Sequence, residues 1–296
     1  MTARPGPSVP PHLAGALVPG VDPADPVGSV AAGVSARQPY ADPAPAVLDD
    51  AVAGLARLVD GDLAGAAGLL GGLGFTVTAD FDPVTWRPYA LAVSETRTER
   101  AWGVYLVDLS EPRGLCVAVP HPKFDAVCER LAVRLWRAVP GTVLALAAVH
   151  RNALVGTGPR IADQARDTGS VFHRLWTSLL GPRGLPQVQI HGFADTTARE
   201  QVVVSTGVGP PTATAERIAD RIAATGRATT RSWDGTADPD LRATTNEQGI
   251  AAAAAGWVWA HIEFDRTVRT DPELWEPAID AVAAADPALS FCDRPR

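Results

Sequence analysis

The residues best placed for chemistry in this 296-residue chain are two histidines that each follow an apolar run. Val188–Ile190 leads into His191-Gly192, and Leu115–Pro120 leads into His121-Pro122. Uncharged runs rich in Val, Ile and Leu belong inside a sheet. An imidazole at the carboxyl end of such a strand emerges where open α/β sheets bind their ligands. A third run, Trp257–Phe264, carries Glu263 among apolar neighbours, and a buried carboxylate is costly unless it is paired or put to use. Strand alternation points His261, Glu263 and Asp265 to one face and Ile262 and Phe264 to the other. Two strand-end histidines and a strand carboxylate suggest a metal-dependent hydrolase, with Glu263 as general base beside an activated water. The plainer alternative for Glu263 is a salt bridge to Arg266 or Arg269.

The first histidine opens the stretch His121-Pro-Lys-Phe-Asp125-Ala-Val-Cys-Glu129. Pro122 keeps His121 extended, so that its ring can point off the strand end. Asp125 and Glu129 stand four apart and share one face of the helix expected over Asp125–Val139. Zinc accepts mixed nitrogen and oxygen ligands, so a histidine with a nearby carboxylate is half of a zinc site. Asp125 is close enough to reach back to His121, whereas Glu129 is better placed to orient a neighbour. The competing reading is a helix cap for Asp125 and an arginine pair for Glu129.

Arg151 and Asn152 follow the strand expected at Thr142–Val149. The fixed fork of an arginine suits a substrate carboxylate, although a surface arginine at a strand end is the plainer reading. The polar segment Asp163–His173 precedes a helix that Ser170 would cap, with His173 either on that helix or supporting a neighbour. Ser205 ends the run Gln201–Ser205, where small hydroxyl residues suit a tight turn or a pocket wall. A GxSxG elbow, a P-loop and a GxGxxG fingerprint are all missing, which speaks against serine hydrolases and nucleotide binders.

Several elements must position these groups. Helical spacing over 46–73 predicts two short helices, and Phe75–Ala79, Tyr89–Val93 and Ala101–Leu109 read as edge strands. Beyond residue 114, strands alternate with helices. The expectation is an α/β fold with a mixed, mostly parallel sheet flanked by helices. Residues 1–45 hold ten of the 26 prolines and read as a flexible Pro/Ala-rich arm. Residues 46–296 read as one α/β domain, with 46–113 a helical and β-edge extension and 114–296 the core that carries the chemistry. Apolar residues make up 46% and charged residues 20%, as in ordinary globular chains. A net charge of −7 argues against nucleic acid or an anionic membrane as partner. Cys116, Cys128 and Cys292 form no paired framework, and the chain shows neither a signal peptide nor a membrane-spanning run, so the cytoplasm is the expected location.

The order of the motifs resembles that of the zinc carboxypeptidase-like hydrolases, most closely the phage poly-γ-glutamate hydrolase and N-formylglutamate amidohydrolase families. PHPKFD stands where those families carry their first ligands and QIHGF where they carry the next histidine. Arg151-Asn152 is similar to the stretch that grips a substrate carboxylate, VVVSTG at 202–207 to the strand that follows, and Asn246, Gly249 and HIEF-DR to the closing stretch. The resemblance implies a zinc ion held by His121, Asp125 and His191, with Glu263 and Arg151 catalytic. Arg151, Asn152, Ser205 and Asn246 would hold a small acidic amide or peptide substrate, such as a glutamyl or N-formyl-glutamate group. Glu129 and His173 would support the ligands. The chain departs from the pattern where an aspartate replaces the usual first-cluster glutamate and Pro-Lys replaces a double glycine. The alternative function is a metal-free, non-catalytic binding protein on the same fold; another is a scaffold whose proline-rich arm does the docking.

Overall fold

The computed structural model describes residues 21–285 apart from 111–113, 159 and 196–199. Three helices come first: α1 (Ala24–Gly33), α2 (Pro45–Val59) and α3 (Leu63–Gly72). Strands β1 (Phe75–Phe81), β2 (Pro88–Ser94), β3 (Val104–Asp108) and β4 (Cys116–Val119) follow, then α4 (Cys128–Ala138) and β5 (Val143–Leu146). Helix α5 (Val171–Leu175) continues as a π-turn over Trp176–Leu180 and leads to β6 (Gln187–Gly192) and β7 (Val202–Ser205). The chain closes with α6 (Ala213–Ala224), β8 (Thr229–Arg231), α7 (Glu247–Ala255), β9 (Trp259–Phe264), α8 (Arg266–Thr270) and α9 (Pro272–Ala283).

All nine strands form one mixed sheet in the order β1-β2-β3-β5-β4-β6-β9-β7-β8. The four central strands, β5, β4, β6 and β9, are parallel to one another, whereas β1, β2 and β3 run antiparallel at one edge and β7 runs antiparallel to β9. The parallel expectation therefore describes the centre and not the edges. Central strands are buried on both faces and read as continuous apolar runs such as VLAL and CVAV. Helices α1, α4, α6 and α9 cover one face, and α2, α5 and α7 the other. On α4, Leu131, Ala132 and Leu135 recur at helical spacing and are fully buried.

Within the expected arm, residues 21–45 depart from a loosely packed segment. Residues 1–20 lie outside the described part. From Val21 onward the segment is packed: Val27 is fully buried on α1, and Tyr40 is buried, with its backbone bridged to Val155. Few apolar residues suffice here because Ala and Val let α1 lie close against α4. A second departure matters for the site. Helix α4 begins at Cys128 rather than at Asp125, and its first residue follows Val127 in the left-handed region at φ 67°. Asp125 therefore caps nothing and sits in the turn between β4 and α4.

Candidate metal centre

The strand order reverses about β4, whose chain continues to β5 on one side while β6 lies on the other. A crevice opens outside the carboxyl ends of strands at such a point. Here it is a cavity of about 450 Å³, bordered by His121, Asp125, His191, His261, Glu263 and Arg269 among others.

His121, just beyond β4, and His191, in β6, are both buried, with ring centroids 4.8 Å apart. Their Nδ1 atoms converge on one oxygen: Asp125 Oδ2 lies 3.3 Å from His121 Nδ1 and 3.1 Å from His191 Nδ1. The turn that brings Asp125 back is bent by two left-handed residues, Lys123 at φ 63° and Val127 at φ 67°. A β-branched residue there is strained, so the turn is held by its surroundings. The far side of each ring is also fixed. His121 Nε2 lies 2.7 Å from Asp163 Oδ1, and His191 Nε2 lies 3.3 Å from Gln189 Oε1. A partner on Nε2 sets the ring orientation and leaves Nδ1 to a ligand.

These donors fit a metal. Ligands ~2.0–2.1 Å from a tetrahedral zinc stand about 3.3 Å from each other, and the two nitrogen–oxygen separations match that edge. The set of two imidazoles and one carboxylate leaves a coordination position open, as catalytic zinc sites do.

Glu263 faces the same cavity. Strands β6 and β9 are parallel, with His191 opposite Glu263, and donor atoms of His191, His261 and Glu263 lie within 4.8 Å of one another. Glu263 Oε1 is 3.5 Å from His261 Nε2, while Oε2 has no hydrogen-bond partner. The alternation expected for His261 and Glu263 holds; Asp265 lies past the strand and caps α8 through Val268 N. Glu263 makes no ion pair with Arg266 or Arg269 among the described residues. Burial and then the Asp125 charge push its carboxyl up to about 8. Asp125 moves the other way: burial opposes its charge, but His121 and His191 overcome that and hold it well below the usual carboxylate range. One acid is thus held ionised beside another held ready for a proton, a split typical of acid–base sites. The imidazoles divide too. Burial works against charging His121, but Asp125 and Asp163 offset it and its value rises. Burial and the neighbouring His121 lower that of His191, and burial with His191 lowers that of His261 further.

Of the other expected residues, Arg151 borders the cavity, stacked on Phe124 with its Nη2 2.7 Å from Asp163 Oδ2. Asn246 borders it as well, capping α7 through its side-chain oxygen and donating to Gln189 Oε1 at 2.8 Å. His173 is buried behind the site, 2.9 Å from Gln248 Nε2; Gln248 meets Gln189, and Gln189 meets His191. Three placements differ from expectation. Asn152 is exposed and does not border the cavity, because the turn after β5 directs only Arg151 inward. Ser205 is buried with its hydroxyl donated to Arg242 O, the tight-turn option rather than the pocket wall. Glu129 borders a different groove between α1, α4 and α9. The late start of α4 separates it from Asp125. The bland reading fails for Asp125, which caps no helix. Asp163 and Gln189 went unassigned in the sequence. Asp163 lies in an irregular segment with no periodicity, but Gln187 and Gln189, polar on one face of a buried strand, were a signal.

No protein-family model and no curated protein matches the chain. Several solved structures resemble it in fold at low identity. They include an N-formylglutamate amidohydrolase from Ralstonia eutropha (13% identity, 60% of this chain and 94% of that one, TM-score 0.36). A metallo-carboxypeptidase from Pseudomonas aeruginosa matches at 15% identity over 61% of this chain, TM-score 0.39, and the chain spans only 59% of its length. An aspartoacylase family protein from Mesorhizobium loti matches at 10% identity over 72% of this chain and 67% of that one, TM-score 0.40. No helix among the described residues is long and apolar enough to cross a membrane.

Proposed function

We propose that this protein is a zinc-dependent amide hydrolase acting on a small, acidic amide or peptide. The observation that carries the reading is the convergence of His121 Nδ1 and His191 Nδ1 on Asp125 Oδ2, with an unpartnered Glu263 oxygen in the same cavity. His121, Asp125 and His191 would hold the ion. When bound, zinc supplies Lewis acidity, lowering the pKa of a water and polarising the scissile carbonyl.

The chain's own groups do the rest. Glu263 Oε2 takes the proton of the attacking water and returns it to the departing nitrogen, a task suited to a carboxyl oxygen that faces the cavity with no partner of its own. Asp163 holds the His121 ring by its Nε2 and, through its other oxygen, holds Arg151 at the cavity wall. The chain of His173, Gln248 and Gln189 fixes His191 from behind. Metal content of protein purified without chelator, combined with a screen of N-acyl and γ-glutamyl amides, tests the reading. One zinc per chain and amide cleavage, both lost in Asp125→Asn, are expected. A chain that takes up no zinc even when it is supplied would end the reading.

A further inference from the structure

Arg269 is a buried cation that forms no ion pair among the described residues. It belongs to α8, is 6% exposed and borders the cavity. Its Nε donates to Ala126 O at 3.0 Å, and its Nη1 donates to Phe264 O at 2.9 Å and to Phe193 O. Those carbonyls belong to the residues beside Asp125, beside Glu263 and two beyond His191. The guanidinium therefore sits where the three segments that carry the site meet. Carbonyl oxygens satisfy N–H groups but do not cancel a charge, and a buried charge left uncompensated is costly. Among the described residues no carboxylate forms an ion pair with Arg269, and its Nη2 donates to no protein atom.

Gly192 is part of the same arrangement. A Cβ at this position would stand 2.8 Å from the Cζ, Nε and Nη1 of Arg269. The glycine that follows His191 thus makes room for the guanidinium. Arg151, the other arginine on the wall, is already neutralised by Asp163 at 2.7 Å.

We propose that Arg269 is the specificity-determining cation of this cavity and receives a carboxylate group of the substrate through its free Nη2 edge. This rests on the hydrolase reading only in placing a substrate in the cavity. An unoccupied Nη2 can donate a charge-assisted hydrogen bond to a carboxylate oxygen. Among the described residues no side chain accepts from it.

The test is binding of succinate against its neutral isostere succinamide, by calorimetry on the full chain after chelator treatment. Neither metal nor turnover is needed, so failure of the hydrolase reading leaves this readout intact. The unaltered protein is expected to prefer succinate at least tenfold. Arg269→Gln and Gly192→Ala should erase that preference with native circular dichroism, and Arg269→Lys should recover part of it. No preference in the unaltered protein, or full preference in a folded Arg269→Gln or Gly192→Ala, would overturn the proposal. Should both Arg269→Gln and Gly192→Ala fail to fold, butanedione modification of the unaltered chain, mapped by mass spectrometry, decides. Succinate must slow modification of Arg269 where succinamide does not; equal rates overturn it.

Discussion

Beneath the antiparallel edge, Arg137 reaches Asp82 and Asp22 at 2.7 and 2.6 Å, and Arg87 meets Asp108 at 2.8 Å. Arg87 also donates to the carbonyls of Trp136 and Arg137 at the end of α4. At the carboxyl ends of the parallel strands, by contrast, Glu263 Oε2 and His261 Nδ1 are buried with no partner, and two imidazoles crowd one carboxylate oxygen. Both regions bury several charges within one sheet. In the first, each acid has a base and the group ties α4 to the β1–β2 turn. In the second, the accounts are left open on the cavity side. Paired buried charge holds a fold, whereas buried polar groups left without a partner at a cavity are kept at a cost and point to a binding role.

Substitutions can break this contrast. His191→Ala removes a donor from the converging set and should lower zinc affinity more than 100-fold, read by competition titration, with little loss of fold. Retained affinity would remove His191 from the centre. Asp82→Asn does the reverse. It leaves the side chain of Arg137 partly unpaired in a buried network and should cost ~3–5 kcal/mol in chemical denaturation. Zinc stoichiometry and turnover per folded molecule should not change.

Glu263→Gln should keep the metal and lose at least ~10²-fold in turnover. The metal-free protein adds a second readout. Its folded-state carboxyl is raised from the ordinary 4.5 to about 8, so its stability contribution is complete below pH ~4.5 and is lost as pH rises through about 8. The glutamine variant should lack that decline and be the more stable form at pH 8; a lower melting temperature there would return Glu263 to a structural role. Asp163→Asn, which loosens the His121 ring without removing a donor, should cost ~10–100-fold in zinc affinity. Glu129→Gln, on the far groove, should change affinity less than twofold. A larger loss would show that Glu129 reaches the centre in solution.

Much of this was legible in the chain. His121, Asp125, His191 and Glu263 were found because strand ends and period-two alternation are local properties, and the cavity brings all four together. The same logic found the cap at Ser170, whose hydroxyl accepts from His173 N. The helix start at Cys128 was missed because the left-handed turn at Val127 is imposed by contacts around it, against the local preference of valine. Asp163 escaped because it meets His121 from an irregular segment 42 positions along the chain. Arg269 stood in plain view as a possible partner of Glu263. What sequence could not show is that its hydrogen bonds go to three backbone carbonyls instead.

The register of β6 on β9 has a kinetic consequence. His191 and Glu263 face each other across adjacent parallel strands, whose ~4.8 Å spacing is maintained by backbone hydrogen bonds on both sides. Sheet interiors open only with the global unfolding of a domain, while loops rearrange on far shorter timescales. The backbone separation between His191 and Glu263 is therefore a constant of the folded chain. The irregular segments that also border the cavity, among them Asp163–Arg166 and Asp240–Asn246, are held by no such ladder. The strand residues of the cavity and its irregular walls thus keep different clocks.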